Sequence, residues 1–353
     1  MSNINDIRQI DEFKNKSFSG YKLSAVKKEL LLNINNNRIE NICYWTGELI
    51  CSGHFLVLWE LILLYMSKYI HTGNIKLCLY LDLRFNKFKE IISNGYVGNE
   101  LRLRNNEIIR RIFLEMVCVL SYSNKKYEIK RVNVPKEDYC IENLKGKLKA
   151  VSLDFANKVF EKNDPKDLYM AVNEFMYHLE KTKDIISVCY WIEWILQYEM
   201  RCKKNKEICE AHLRTYCVEE RHKTDIIWII WDCYKKVLET IKEDKEIYNQ
   251  LYISLLSLFS IRYSHSSKRK RIYILYLMAS VLTEKIDLSV KIINNKDKID
   301  TIVKNNDKIF KVLKKNEVFN KGKGMNSNSG DWNEGNLDNT FKRLEMMDKL
   351  SIK

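Results

Sequence analysis

Proline and glycine are scarce in this chain, which has 2 prolines and 11 glycines among its 353 residues. Because folds made of many short strands need frequent tight turns, this scarcity disfavours a β-rich fold. Long apolar runs are lacking too. The longest, residues 55–66, is interrupted by Glu60 and is about half the roughly 20 residues that cross a bilayer. The sequence therefore predicts no membrane span. It also shows no charged and then apolar leader, so secretion by the signal-peptide route is not predicted.

The common catalytic signatures are also missing from the sequence. There is no glycine-rich phosphate loop followed by Lys and Ser or Thr, no His-Glu-x-x-His, no nucleophile elbow and no EF-hand loop. The six histidines are dispersed. No catalytic residue is predicted, and an enzyme with a divergent site remains an alternative.

The charge of the chain is strongly positive, with 60 Lys and Arg against 46 Asp and Glu and a formal net charge of +14. Such a balance favours anionic partners, and DNA or RNA leads among them. The alternative is a solubilising surface in a chain rich in Lys and Asn. The ten cysteines show no disulfide pattern at this length, so they read as reduced core residues or metal ligands of an intracellular protein.

An internal repeat is the clearest sign of architecture. Ala25-Val26 and Cys43-Tyr44-Trp45 recur at an offset of 146 residues as Ala171-Val172 and Cys189-Tyr190-Trp191. Apolar residues recur in each copy every three or four positions, as in two packed amphipathic helices. The repeat predicts a duplicated helical hairpin, with Asp184 as the N-cap of the last helix.

The fold predicted from these patterns is all-α or nearly so, with two related helical halves. Residues 75–85 alternate between apolar and polar, which is typical of a strand, and the segment near 127–134 is its candidate partner. The prediction therefore leaves room for one small β-hairpin. The predicted division is an N-terminal arm 1–20, a helical half 21–130, a linker 131–150, a second helical half 151–316, a disordered linker 317–340 and a short C-terminal helix 341–353.

The predicted C-terminal helix is amphipathic and could dock into a groove on a protein partner. A frayed terminal helix is the alternative. The apolar face of this segment consists of Phe341, Leu344, Met347 and Leu350.

Five soft ligands within 21 residues suggest a structural zinc site, because zinc takes four Cys or His ligands in a tetrahedron. Their spacing matches no standard finger, and the competing reading is a polar helix connection with packed cysteines and solvated histidines. The five candidates are Cys202, Cys209, His212, Cys217 and His222.

A basic segment at the start of an apolar helix is the candidate nucleic-acid site. Four successive cations there oppose the positive end of the helix dipole, which a phosphate backbone would relieve. A solvated junction is the alternative. The segment comprises Arg262, His265, Lys268, Arg269, Lys270 and Arg271, with Ser266 and Ser267 as candidate caps.

A second basic group has Arg102, Arg104, Arg110 and Arg111 interleaved with apolar residues, as on the outer face of a core helix. The tryptophans of residues 191–231 recur at a spacing of three in apolar settings and are predicted in the core. Glu193 and Asp232 lie among them and are interpreted as structural polar contacts.

Several segments together resemble an uncharacterised helical family of giant double-stranded DNA viruses, over most of residues 20–290. The resemblance rests on CYWTGELICSG from Cys43, RFNKFKEIISNGY from Arg84, NEFMYHL from Asn173, CYWIEWIL from Cys189 and DIIWIIWD from Asp225. It implies a viral context, in the host cytoplasm or the virion, and carries no catalytic residues.

A more local resemblance links about 50 residues to the collar helices of clamp-loader ATPases, through Ser24-Ala25, Tyr44-Trp45 and Gly53. The first turn is longer here and the ATPase core is absent, so this likeness implies an oligomerising or scaffold role. We therefore expect a basic helical scaffold or accessory protein that binds nucleic acid in viral replication, transcription or packaging. The alternative is a viral assembly protein that acts through protein contacts.

Overall fold

The computed structural model describes residues 2–126, 128–139, 141–217 and 219–319, and it is mostly α-helical. No β-strand occurs in these ranges, where an isolated bridge joins Lys16 to Lys22. The predicted all-α fold is confirmed. In chain order the helices are α1 (Leu23–Asn35), α2 (Ile39–Cys51), α3 (Phe55–Tyr65), α4 (Leu77–Ser93), α5 (Glu107–Tyr122), α6 (Ile141–Leu144), α7 (Tyr169–Tyr177), α8 (Ile185–Asn205), α9 (Ile227–Leu238), α10 (Lys245–Phe259), α11 (His265–Lys270), α12 (Ile272–Thr283), α13 (Lys296–Lys304) and α14 (Asp307–Lys314).

The predicted strand at residues 75–85 is wrong, because this segment lies largely in α4. Leu77, Leu81 and Phe88 are buried at helical spacing, whereas Leu83, which the alternation also placed on the apolar face, is 69% exposed. The apolar residues at helical spacing are therefore the ones buried by tertiary packing, and the alternating pattern does not determine the structure of this segment. The candidate partner segment contains no strand among its described residues, so no β-hairpin forms there.

The chain divides into two compact units. The first contains the described residues up to Tyr65, then Leu83–Ser123, then those from Ile292 on, and the second contains Met66–Asp82 and Asn124–Lys291. This division differs from the predicted one, in which residues 292–316 belonged to the second half and 66–82 to the first. The chain leaves and re-enters each unit, and local periodicity does not record which distant segment a helix packs against.

In the first unit, α2 forms the centre and packs against α1, α3, α5 and α14. Residues of α2 from Asn41 to Cys51 are all buried. Gly47 permits the approach of α14, because a Cβ at this position would lie 2.7 Å from the Leu313 side chain. The predicted N-terminal arm packs into this unit too, with Ile4, Phe13 and Phe18 buried.

In the second unit, the apolar α12 is almost wholly buried and packs against α8, α9 and α10. The predicted core tryptophans are confirmed, since Trp191, Trp194, Trp228 and Trp231 are all buried. Aromatic rings of neighbouring helices contact each other here, as Trp231 and Phe259 do at 5.4 Å between centroids. The unit's core is therefore built from large side chains of α8, α9, α10 and α12.

Both predicted hairpins are helical pairs. Helices α1 and α7 begin at Leu23 and Tyr169, and α2 and α8 begin at Ile39 and Ile185, so both pairs of starts are 146 residues apart. The predicted N-cap is confirmed, because the Asp184 side chain accepts a hydrogen bond from the backbone N–H of Ile186 at 3.0 Å. A common origin of the two hairpins stays a prediction.

The predicted C-terminal helix with Phe341, Leu344, Met347 and Leu350 lies outside the described residues, as does most of the predicted linker before it. Within the described residues, none of the helices combines the length and the apolar character that crossing a membrane requires.

Candidate nucleic-acid interface

Most of the predicted basic segment lies in the short helix α11, with Arg262 before the helix and Arg271 between α11 and α12. The Ser264 side chain accepts a hydrogen bond from Ser267 N–H, and the Ser267 hydroxyl accepts one from Ser264 N–H, which makes a capping box. The N-cap is thus Ser264 and not the predicted Ser266 or Ser267. Lys268, Arg269 and Lys270 lie in the last turn of α11, where cations interact favourably with the negative end of the helix dipole.

Lys268 is buried in a charged cluster of the second unit. Its Nζ lies 2.6 Å from Oε1 of Glu199 and 2.7 and 2.9 Å from the two carboxylate oxygens of Asp225, and the residue is 0% exposed. A buried ammonium needs such partners, because the loss of hydration is otherwise uncompensated. Lys268 is therefore occupied inside the protein, and its predicted role as a nucleic-acid contact is corrected.

Asp225 is the centre of this cluster and accepts several further hydrogen bonds. Its oxygens lie 2.8 Å from the Tyr263 hydroxyl, 3.1 Å from the Ile227 N–H and 2.9 Å from Nδ1 of His265. Burial raises the pKa of Asp225, but the hydrogen bond from His265 and the charge of Lys268 outweigh it and hold the pKa below its ordinary value of 3.8. Asp225 therefore stays a carboxylate that fixes α11 to the start of α9.

Arg271 is the second predicted contact that the fold uses internally. It is 4% exposed, and its Nη1 donates to the carbonyl oxygens of Phe259 and Ile261 at 2.6 and 2.5 Å. These bonds satisfy carbonyl groups at the end of α10. The prediction that Arg271 contacts nucleic acid is corrected for the same reason as for Lys268.

The other side chains of the segment lie at or near the surface. Arg262 and Lys270 are exposed, and Arg269 is half-buried with its Nε buried. His265 is exposed, but its Nδ1 lies 2.9 Å from buried Asp225. We call these four residues the α11 surface. Because Glu199 of α8 contacts Lys268, the end of α8 lies beside α11, and exposed Lys203 follows Glu199 by one helical turn. The structure thus divides the predicted patch into two internal anchors and an outer group that includes exposed Arg262 and Lys270.

The five predicted zinc ligands do not converge among the described residues. The thiols of Cys202 and Cys209 lie within hydrogen-bonding reach of each other, and Cys217 is buried. His212 is exposed, whereas His222 is buried and neither of its ring nitrogens has a hydrogen-bond partner.

In the described part of the chain, the group with ligand atoms close enough for a metal is another one. Glu199, Asp225 and His265 place one atom each within 4.8 Å of one another. Lys268 Nζ already lies against both carboxylates, so the ammonium takes the position that a cation would need. This geometry fits an internal ion pair, and none of the three residues belongs to the predicted zinc set.

Glu193 and Asp232, which the sequence predicts as structural polar contacts, form such contacts in the structure. Buried Glu193 accepts from Nε of Arg131 at 2.6 Å and from the Tyr276 hydroxyl at 2.8 Å. Asp232 pairs with Arg214.

The second basic group is split between core and surface of the first unit. Arg104 and Arg110 are buried, whereas Arg102 and Arg111 are exposed. Arg110 donates to the carbonyl oxygens of Arg104 and Ser2 at 2.6 and 3.0 Å. The predicted outer face of a core helix therefore holds for Arg111 but not for Arg110.

The sequence patterns did not single out Glu199, and Asp225 entered only as the first residue of the DIIWIIWD segment. Glu199 and Asp225 lie 69 and 43 residues from Lys268, and nothing near either residue marks it as the partner of a buried lysine. The weak signal available was an excess of cations on a short helix without nearby acids.

The described residues form a mostly α-helical protein of two compact units. Comparison of the chain with protein-family models, curated proteins and solved structures found no match.

Proposed function

We propose that this protein is a non-enzymatic helical scaffold or accessory protein that binds nucleic acid, with phosphate contacts through the α11 surface. The main support for the proposal is that the cations of the basic segment occupy two different environments. Lys268 and Arg271 anchor it internally, whereas Arg262 and Lys270 are exposed and Arg269 is half-buried. The formal net charge of +14 adds long-range attraction to a polyanion.

The anchoring matters because α11 has 6 residues and a helix of this length is unstable by itself. The ion pairs of Lys268 and the hydrogen bonds of Arg271 hold the backbone in place. The outer cations therefore start from a fixed position, which lowers the conformational entropy lost when phosphates bind. Contacts of this kind go to phosphate oxygens and carry little sequence preference.

The resemblance to a giant-virus family supports a viral setting for this activity. Under the proposal, the protein acts in viral replication, transcription or packaging, in the host cytoplasm or in the virion. The likeness to clamp-loader collar helices supports a scaffold role.

The test is binding of the full-length protein to fluorescein-labelled single-stranded DNA, duplex DNA and RNA, measured by anisotropy across a KCl series. The wild type is expected to bind with a steep fall of affinity as salt rises. Arg269→Ala/Lys270→Ala removes two cations from the α11 surface. It should reduce the slope of log affinity against log salt by about 1.8 on duplex DNA, since each phosphate contact contributes about 0.9.

The matched control is Lys242→Ala/Lys245→Ala, which removes the same charge from two exposed lysines. These lie at the opposite end of α10 from Phe259, about 21 Å away for a helix of 15 residues. The control should keep the wild-type slope. A wild type whose affinity is weak and insensitive to salt contradicts the proposal and favours the protein-contact alternative. Equal slopes for the two double variants exclude the α11 surface as the phosphate contact.

A further inference from the structure

Two buried cysteine side chains contact each other in the first unit, one on α2 and one on α5. The Sγ atoms of Cys43 and Cys118 lie 3.9 Å apart, and the residues are 1% and 0% exposed. Both are free thiols. Sulfur atoms at this distance are in van der Waals contact, so no other side chain separates them. The two thiols are therefore placed to react with each other.

Little movement separates this contact from a covalent bond. A disulfide joins its sulfurs at about 2.05 Å, so each Sγ would have to move by about 1 Å. A change of the χ1 angle moves a cysteine sulfur without displacing the backbone, because no heavy atom follows it in the side chain. The two helices provide the frame for this movement, since α2 and α5 pack directly against each other.

The packing around the two sulfurs keeps them opposite each other. Cys43 belongs to the run Asn41–Cys51 of α2, in which every residue is buried, and residues 116–121 of α5 are all buried as well. Side chains in such a close-packed interior have little room to move apart. Folding therefore holds two thiols that are 75 residues apart in sequence at a high effective concentration.

The same burial makes the pair slow to react while the unit is closed. The contact with Cys118, together with burial, holds the pKa of Cys43 well above its ordinary value, because both disfavour the thiolate. Since the thiolate is the form that attacks a disulfide, exchange requires a transient opening of the packing between α2 and α5. A disulfide formed here is accordingly expected to resist reduction too, because a reductant meets the same barrier.

A bond between these sulfurs would close a long loop of the chain. The loop consists of residues 44–117, and within it the chain leaves the first unit at Met66 and returns to it at Leu83. Closing a loop removes conformational entropy from the unfolded chain, and the effect grows with the length of the loop. The link would therefore stabilise the folded state.

We propose that Cys43 and Cys118 form a redox-sensitive disulfide that links α2 to α5. In a reducing environment both thiols stay free. In the presence of a small-molecule disulfide such as oxidised glutathione they become joined. The link lies within the first unit and does not depend on nucleic-acid binding by the α11 surface.

The reaction is a pair of thiol–disulfide exchanges. The thiolate of one cysteine attacks a sulfur of oxidised glutathione, which breaks the glutathione disulfide, forms a mixed disulfide and releases one glutathione. The thiolate of the other cysteine then attacks the protein sulfur of the mixed disulfide and releases the second glutathione. The two protein thiols lose two electrons and two protons, and the two glutathione molecules gain them.

The experiment uses the full-length protein, reduced with dithiothreitol, freed of the reductant and incubated with oxidised glutathione. Urea below the unfolding transition is included, because it populates the open state while the protein stays folded. Free thiols are then blocked with N-ethylmaleimide, and the protein is digested with trypsin without reduction. Trypsin cleaves after Lys and Arg, so mass spectrometry should find peptide 39–68 linked to peptide 112–125 as the main disulfide product.

Peptide 39–68 also contains Cys51, so a matched control is needed. Cys51→Ala removes another buried thiol of α2 and should leave the link intact, whereas Cys118→Ala should abolish it. Oxidation should raise the melting temperature of the wild type and of Cys51→Ala by at least about 5 °C, as closure of so long a loop predicts. Cys118→Ala should melt at the same temperature in both states. Each variant is compared with its own reduced form, so a cavity left by the substitution does not affect the result.

Oxidation of the unfolded protein provides the last comparison. In guanidinium chloride the ten cysteines can pair in many ways, and a mixture of linked peptides is expected. The proposal is overturned if the link between Cys43 and Cys118 is no more abundant from the folded protein than from the unfolded one. Absence of the link after prolonged incubation, or a link that does not raise the melting temperature, overturns it as well. The wild-type peptides decide the first two outcomes, so they do not depend on the folding of any variant.

Discussion

Replacing Lys268 with methionine removes the ammonium that pairs with the carboxylates of Asp225 and Glu199 in the second unit. The Asp225 side chain is 0% exposed and that of Glu199 is 14% exposed, so water cannot take over the role of the ammonium. Removing one partner of a buried ion pair costs about 3–5 kcal/mol. A folding unit of 150–250 residues loses roughly 2–4 °C per kcal/mol, so we expect the melting temperature to fall by about 6–20 °C.

The measurement is thermal unfolding by far-UV circular dichroism, together with urea unfolding followed by tryptophan fluorescence. Lys270→Met is the matched control, because it makes the same change on the exposed side of the same helix and should alter stability by no more than about 0.5 kcal/mol. A loss below about 1 kcal/mol for Lys268→Met, or equal effects of the two substitutions, would refute the reasoning.

The pH dependence of the same variant provides a separate check. The pKa of Asp225 is held below its ordinary value of 3.8, so its contribution to stability is present above that value and is lost as pH falls through the lowered pKa of the folded state. The stability difference between the wild type and Lys268→Met should be largest near neutral pH and shrink below about pH 4. A difference that stays constant into acid would contradict the assignment.

Three further substitutions, one of them a control, test the packing of the units. Burial raises the pKa of Glu48 above its ordinary value of 4.5, so the ionisation of this group lowers the stability of the fold as pH rises above 4.5. Glu48→Gln should remove that decline and leave the protein at least as stable as the wild type at pH 7. Urea unfolding across a pH series measures this difference. Gly73→Ala should destabilise by about 1–3 kcal/mol, because its Cβ would lie 2.7 Å from the Asn124 carbonyl oxygen and 2.9 Å from Lys126 N. Gly146→Ala, with no atom within 4 Å of the added Cβ, should be neutral or stabilising by up to about 1 kcal/mol, and similar losses for the two glycine variants would contradict this account.

Local periodicity was sufficient to predict the class of fold and both helical hairpins. The N-cap at Asp184 followed from the same local rules, and the structure places it as predicted. The strand at residues 75–85 was wrong because an alternating pattern and a helical one overlap in this segment. Burial of Leu81 and exposure of Leu83 record which pattern packing selected.

The environments of the candidate site residues, by contrast, could not be predicted from local sequence. Lys268, Lys270 and Arg271 are long cationic side chains within a span of four residues, yet the first and last are internal and the middle one is exposed. The burial of Lys268 depends on Glu199 and Asp225, which are distant in sequence. The burial of Arg271 depends on carbonyl groups at the end of α10, which no side chain marks in the sequence.

Composition and periodicity by themselves determined a helical, strongly basic chain, because charge and the 3.6-residue repeat are properties of neighbouring residues. The tertiary structure decided which cations became internal anchors and which formed the α11 surface. It also brought residues 6–9 and residues 94–105 together as the walls of one cleft in the first unit. The physical reason is that a buried charge requires a partner, and the partner is chosen by the approach of segments far apart in the chain.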